Sequence, residues 1–101
     1  MKEIKKISEQ IDAELEDAEK HLKCAYKHKE TNPILADMYY KLSLAEMEHV
    51  TILHEAGVKL IDDYSARNEI PEGMQAVYDY LHDRHIKWAR KIKARQDEFK
   101  S

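Results

Sequence analysis

Apolar residues recur along this chain in three blocks at the spacing of an α-helical face. In the first, Ile4, Ile7, Ile11, Leu15, Ala18, Leu22, Ala25 and Tyr26 fall on one side of a helix, which predicts an amphipathic helix over about residues 3–28. The second stripe is Leu35, Met38, Leu42, Ala45, Ile52, Leu53, Ala56 and Leu60, and it predicts a helix over about 33–65. The third, over about 71–99, presents Met74, Val77, Tyr78, Leu81, His85, Trp88, Ile92 and Phe99. Thr31-Asn32-Pro33 reads as a stop followed by a start, because Asn can cap a helix and Pro suits its first position. The stretch Asn68 to Gly73, with the second Pro at Pro71, opens the third helix. Gly57 lies on the edge of the second stripe, where a missing side chain lets a neighbouring backbone approach without breaking the helix.

The pattern therefore predicts an all-α fold: one helical domain over residues 1–101, made of an antiparallel hairpin and a third long helix. Composition agrees, with only two Gly and two Pro and an abundance of Ala, Leu, Lys and Glu. An apolar content of 43% in 101 residues supplies a small core, so burial by self-association is expected. The net charge of −3 and the interspersed lysines and glutamates give no basic face, and a nucleic-acid partner is not expected. No apolar run reaches the roughly 18 residues of a membrane span. The start Met1-Lys2-Glu3-Ile4-Lys5-Lys6 lacks the apolar core of a signal peptide, and Cys24 is the only cysteine, so a reducing, cytoplasmic setting is expected.

Two polar residues fall inside the second stripe, Glu46 and His49. Burying an unpaired carboxylate costs several kcal/mol, so a compensating partner is required, and a cation held by a carboxylate and an imidazole one turn apart is the sharpest candidate. The string Glu-x-x-His is weak by itself. With 20 acidic residues and six histidines, roughly one such pair arises by chance, and Asp79-x-x-His82 is another. Position adds an independent constraint. Reflected through a turn near residue 30, Glu14 and Glu46 stand level, each about 24 Å from the turn at 1.5 Å per residue, and Glu14 lies at the inward edge of the first stripe. Glu14, Glu46 and His49 are thus the predicted metal-binding residues.

On these residues the hairpin from about Ile4 to Ile61 resembles the ferritin-like, rubrerythrin-like di-metal carboxylate proteins. Glu14 matches their lone Glu, and Ala45-Glu46-Met47-Glu48-His49 matches their motif helix. The family builds its site from a Glu on each of two helices and Glu-x-x-His on each of two more. One chain here carries half of that set. The resemblance implies a homodimer, or a higher assembly of dimers, completing a ferritin-like four-helix bundle around a di-iron centre, as in the similar short chains of encapsulated ferritins; whether a shell or particle surrounds it is left open. A departure is His21, two turns after Glu14, where related proteins often carry an aromatic residue.

The implied activity is oxidation of Fe(II) by oxygen or peroxide, a ferroxidase-type oxidoreductase. Manganese or zinc suits the same donors. The alternative from another class is a metal-free helical interaction module in which Glu46 and His49 specify dimer register. Asp79 falls off the third face and is expected in water, whereas His85 is expected as a core histidine bonded to a tyrosine or a backbone carbonyl, with a metal ligand as its alternative role. Tyr39, Tyr64, Met38, Met74 and Trp88 are expected to pack, Trp88 level with the Glu46 region, while His28 and His54 are expected in solvent.

Overall fold

The computed structural model describes residues 2–101 as three helices in chain order, α1 (Lys2–His28), α2 (Pro33–Arg67) and α3 (Glu72–Lys100), with no strand among the described residues. The boundaries follow from local chemistry. Asn32 caps α2, its side-chain oxygen accepting from the Leu35 amide at 3.2 Å, and Pro33 follows at the first helical position. Pro71 stays extended, with ψ 141°, and its carbonyl receives the Gln75 amide, so α3 opens one residue later than expected. Glu3 in the first turn of α1 and Lys27 and His28 in its last turn match the helix dipole. Gly57 leaves α2 unbroken, but no backbone approaches it: a Cβ there would sit 3.6 Å from Ile7 Cγ2, an ordinary contact with a side chain.

The first stripe is buried as expected, with Leu15, Ala18 and Ala25 fully so. Ile11, Leu15 and Ala18 pack with Val50 and Ile92, while Leu22 and Ala25 pack with Ala36 and Phe99 nearer the α1–α2 turn. α1 and α2 form the principal packed pair, and α3 lies chiefly along α1. The result is a rod of 55 × 18 × 17 Å, whose radius of gyration of 16.3 Å exceeds the roughly 13 Å of a compact chain this long. So extended a shape leaves much apolar surface uncovered.

Part of that surface is the second stripe, whose expected burial is only partly met: Leu35, Ala45, Leu53 and Leu60 are half-buried, and the rest of the stripe is exposed. The buried residues of α2 are Ala36, Ser43 and Val50, about 120° round the helix from the stripe. Met38, Leu42, Ile52 and Ala56 face outward. α2 is apolar on two sides, and α1 selects the side with smaller residues because a small side chain at each crossing lets two helices approach closely.

A polar spine crosses this close contact. The Ser43 hydroxyl, fully buried, donates to the Ala18 carbonyl at 2.8 Å and accepts from Gln96 Nε2 at 2.9 Å, joining all three helices. Ser43→Ala should lower the unfolding free energy by about 1–3 kcal/mol, because the buried Gln96 amide loses its acceptor. Adding Gln96→Met should recover part of that loss by removing the orphaned donor, and urea titration of the single and double variants measures both effects.

At the far end, Phe99 lies between Tyr26 and Tyr40, with ring centroids 5.3 and 5.0 Å away. Tyr26 donates to the Arg95 carbonyl at 2.7 Å and Lys29 donates to the Phe99 carbonyl at 3.0 Å. The C-terminal half of α3 is fastened there. Toward its N-terminus, Val77 and Tyr80 are exposed and Met74 and Tyr78 only half-buried.

Candidate metal centre

Glu14, Glu46 and His49 come together. Each offers a ligand atom lying within 4.8 Å of the others'. His49 Nδ1 is 3.3 Å from Glu14 Oε2 and 3.5 Å from Glu46 Oε2. Their levels match because both helices rise evenly from the same turn, and Glu46 and His49 share a face by their three-residue spacing. The cluster sits on the edge of the hairpin and not in its core. The Glu14 and Glu46 side chains are 24% and 18% exposed, and that of His49 is 53% exposed. The burial that first singled out His49 is thus absent within one chain, since His49 projects from the middle of the outward stripe.

Among the described residues, neither carboxylate is ion-paired with a lysine or arginine. Two carboxylates and a neutral imidazole carry a charge of about −2, which a divalent cation offsets, and mixed oxygen and nitrogen donors suit iron, manganese and zinc. The donor set fits the metal that the resemblance implies.

The structure adds a residue to this neighbourhood. His21 Nε2 lies 3.9 Å from Glu46 Oε1, so Glu46 has an imidazole on either side. From His21 a ring stack continues to Tyr39, 6.2 Å between centroids, and from Tyr39 to His28, 6.1 Å. His28 is therefore half-buried against a ring, contrary to its expected solvation. A sequence signal for this row exists: Glu14, His21 and His28 are spaced by sevens, as are Tyr39 and Glu46, and residues two turns apart line one edge of a packed helix pair.

Elsewhere the expectations divide. Asp79 is exposed and accepts from Gln75 at 3.0 Å. Trp88 packs on the Ile11–Leu15–Ala18 cluster, and its indole N–H donates to Glu19, which lies about 140° round α1 from Glu14. His85 is buried, but its partner is neither a tyrosine nor a carbonyl: Nε2 is 2.8 Å from Asp12 Oδ1, which Arg84 also reaches at 3.0 Å. A core histidine beside a carboxylate on another helix is invisible to single-helix phase.

His54 is half-buried and not solvated, its ring stacked on that of His82 at 4.9 Å between centroids. Burial, then the neighbouring His82 and least of all His85, push its pKa below the ordinary 6.5, against an opposing effect of Glu55 that outweighs that of His85 alone. The unfolded chain then takes up this proton more readily than the folded one. The His54 contribution to stability is fully present above pH 6.5 and declines as the pH falls below that value toward the lowered folded pKa. In chelating buffer, His54→Phe should show a shallower loss of urea midpoint between about pH 7.5 and 5.5 than the parent chain.

No protein-family model, curated protein or solved structure matches this chain.

Proposed function

We propose that two copies of this chain bind a pair of iron ions between their hairpins and oxidise Fe(II), as a ferritin-like, ferroxidase-type homodimer or an assembly of such dimers. The carrying observation is the convergence of Glu14, Glu46 and His49 from two helices. Three ligands leave an ion short of its usual coordination, and a two-fold axis beside His49 supplies a second set, giving four carboxylates and two imidazoles. The outward stripe supports the same occupant. Leu42 and Ile52 flank His49 on the exposed side of α2, so a second copy laid against this face covers the uncovered apolar residues and the half-exposed imidazole together.

Bound Fe(II) is the substrate and supplies the electrons that pass to oxygen or peroxide. Glu14 and Glu46 hold the cations through carboxylate oxygens, and His49 does so through a neutral ring nitrogen. His21, beside the far oxygen of Glu46, positions that carboxylate. Met38, Leu42 and Ile52 exclude water once the two faces meet.

Anaerobic titration of the purified chain with Fe(II), followed by admission of oxygen and absorbance measurement, tests this reading. One iron pair per dimer is expected, with uptake abolished in Glu46→Ala. A dimer that takes up no metal would replace it with the metal-free interaction module.

A further inference from the structure

We propose that the histidine junction is an acid-sensitive latch: protonation of the stacked His54 and His82 rings drives the N-terminal half of α3 away from α2, while Asp12 keeps α3 on α1 through Arg84 and His85. The junction shares no residue with the carboxylate cluster and works without it. Its placement follows from the second turn. His54 and His85 are equally far from a connection centred between Glu69 and Ile70, and His82 precedes His85 by one turn on α3. His54 and His82 therefore meet across the boundary between α2 and α3, with ring centroids 4.9 Å apart and ring planes inclined by 24°. Neutral rings in that arrangement stack, and two imidazolium rings repel.

Little packing resists that repulsion. α2 and α3 touch only sparsely, whereas α1 meets each of them more extensively. Cavities lie against the pair: one of about 70 Å³ is bordered by His54, His82 and His85 together with Ile7 and Leu81, and one of about 200 Å³ lies between Met47 and Val50 of α2 and Ile86 and Ala89 of α3. Both exceed the roughly 30 Å³ that a water occupies in the liquid, so water can follow the charge inward as the helices part.

The groups that face the pair from each helix set the direction of movement. On α1, Ile7 and Ile11 carry no charge, and Asp12 Oδ1 lies 2.8 Å from His85 Nε2 and 3.0 Å from Arg84 Nη2, both on α3. A proton on His85 makes its contact with Asp12 charge-assisted, so acid tightens α3 on α1. On α2, Glu55 favours the charged form of His54, but burial and the α3 histidines together outweigh it, and the His54 pKa stays below the ordinary 6.5. Tyr78 of α3 borders the smaller cavity as a neutral phenol. Charging both rings thus costs more in the closed arrangement than in an open one, and acid shifts the population toward the open arrangement.

The test follows amide hydrogen exchange of the full chain in chelating buffer at about pH 7.5 and 5.5, corrected for the intrinsic effect of pH on exchange. Protection over residues 74–82 should fall about tenfold or more at the lower pH, as that stretch loses the support of α2, while residues 11–25 and 92–99 stay protected. His82→Phe keeps a ring against His54 and removes one of the two charges, so the fall there should shrink to less than about threefold, and His54→Phe should act likewise. Protection over residues 74–82 that is unchanged by acid, that falls equally along all three helices, or that falls undiminished in both variants overturns the proposal. In the unmutated chain, nuclear Overhauser contacts between the His54 and His82 ring protons should be present at the higher pH and lost at the lower one, with those between His85 and Ile11 retained. Ring contacts that persist once both histidines are protonated overturn it even if the variants fail to fold.

Discussion

A chain carrying Leu42→Glu and Ile52→Glu is expected to keep its helix content, sediment as a monomer and lose iron uptake together with the dimer. Leu42 and Ile52 are 39% and 64% exposed in the single chain, where glutamates can reach water, and such surface changes usually cost within about 0.5 kcal/mol. In the proposed two-fold dimer the same positions would meet their own copies or close neighbours. Four carboxylates would then be desolvated without partners, at several kcal/mol. Since each 1.4 kcal/mol is tenfold in affinity, dimerisation should weaken by roughly 100-fold or more. Analytical ultracentrifugation over a concentration series measures the shift. Glu46→Ala, by contrast, should lose metal while leaving the apolar interface in place. A double variant that remains fully dimeric would show that the outward face of α2 is not where the copies meet.

Leu15→Ala should cost about 2–5 kcal/mol, because Leu15 is fully buried at the centre of the cluster formed with Ile11, Ala18, Val50 and Ile92. Against the 5–15 kcal/mol of a typical domain that is a large share, and this rod has little core in reserve. Its two apolar clusters are small and lie one after the other along the axis, so a cavity in one cannot be filled by collapse from the other. Urea unfolding monitored by circular dichroism should show the midpoint falling with little change in slope. A loss below about 1 kcal/mol would mean that the helices close over the gap.

The elements were legible because their ends carry strong local chemistry: Asn32-Pro33 caps and starts α2, and Pro71 cannot continue a preceding helix. The level of Glu14 against Glu46 was legible for a related reason, since regular helices leaving one tight turn convert residue number into height. The rotation of α2 was not. Hydrophobicity selects its larger residues, Leu35, Met38, Leu42 and Ile52, whereas α1 packs on Ala36, Ser43, Val50 and half-buried Gly57, where closeness matters more than apolar bulk. His49 was therefore singled out by a burial that one chain does not provide, whereas Glu46 is largely covered. The histidine junction and the Asp12–His85 pair depend on which residues of a third helix meet the hairpin, and periodicity within each helix does not contain that information.

Phe99, seated between Tyr26 and Tyr40, settles how the third helix comes loose. With that end pinned and the other lightly laid on its neighbours, thermal opening should begin near Met74 and travel toward Ile92, so that amide deuteration runs as a gradient along one helix. α3 then behaves as a hinged arm whose swing uncovers the wall formed by Ile4, Ile7 and Ile11 while α1 and α2 stay paired.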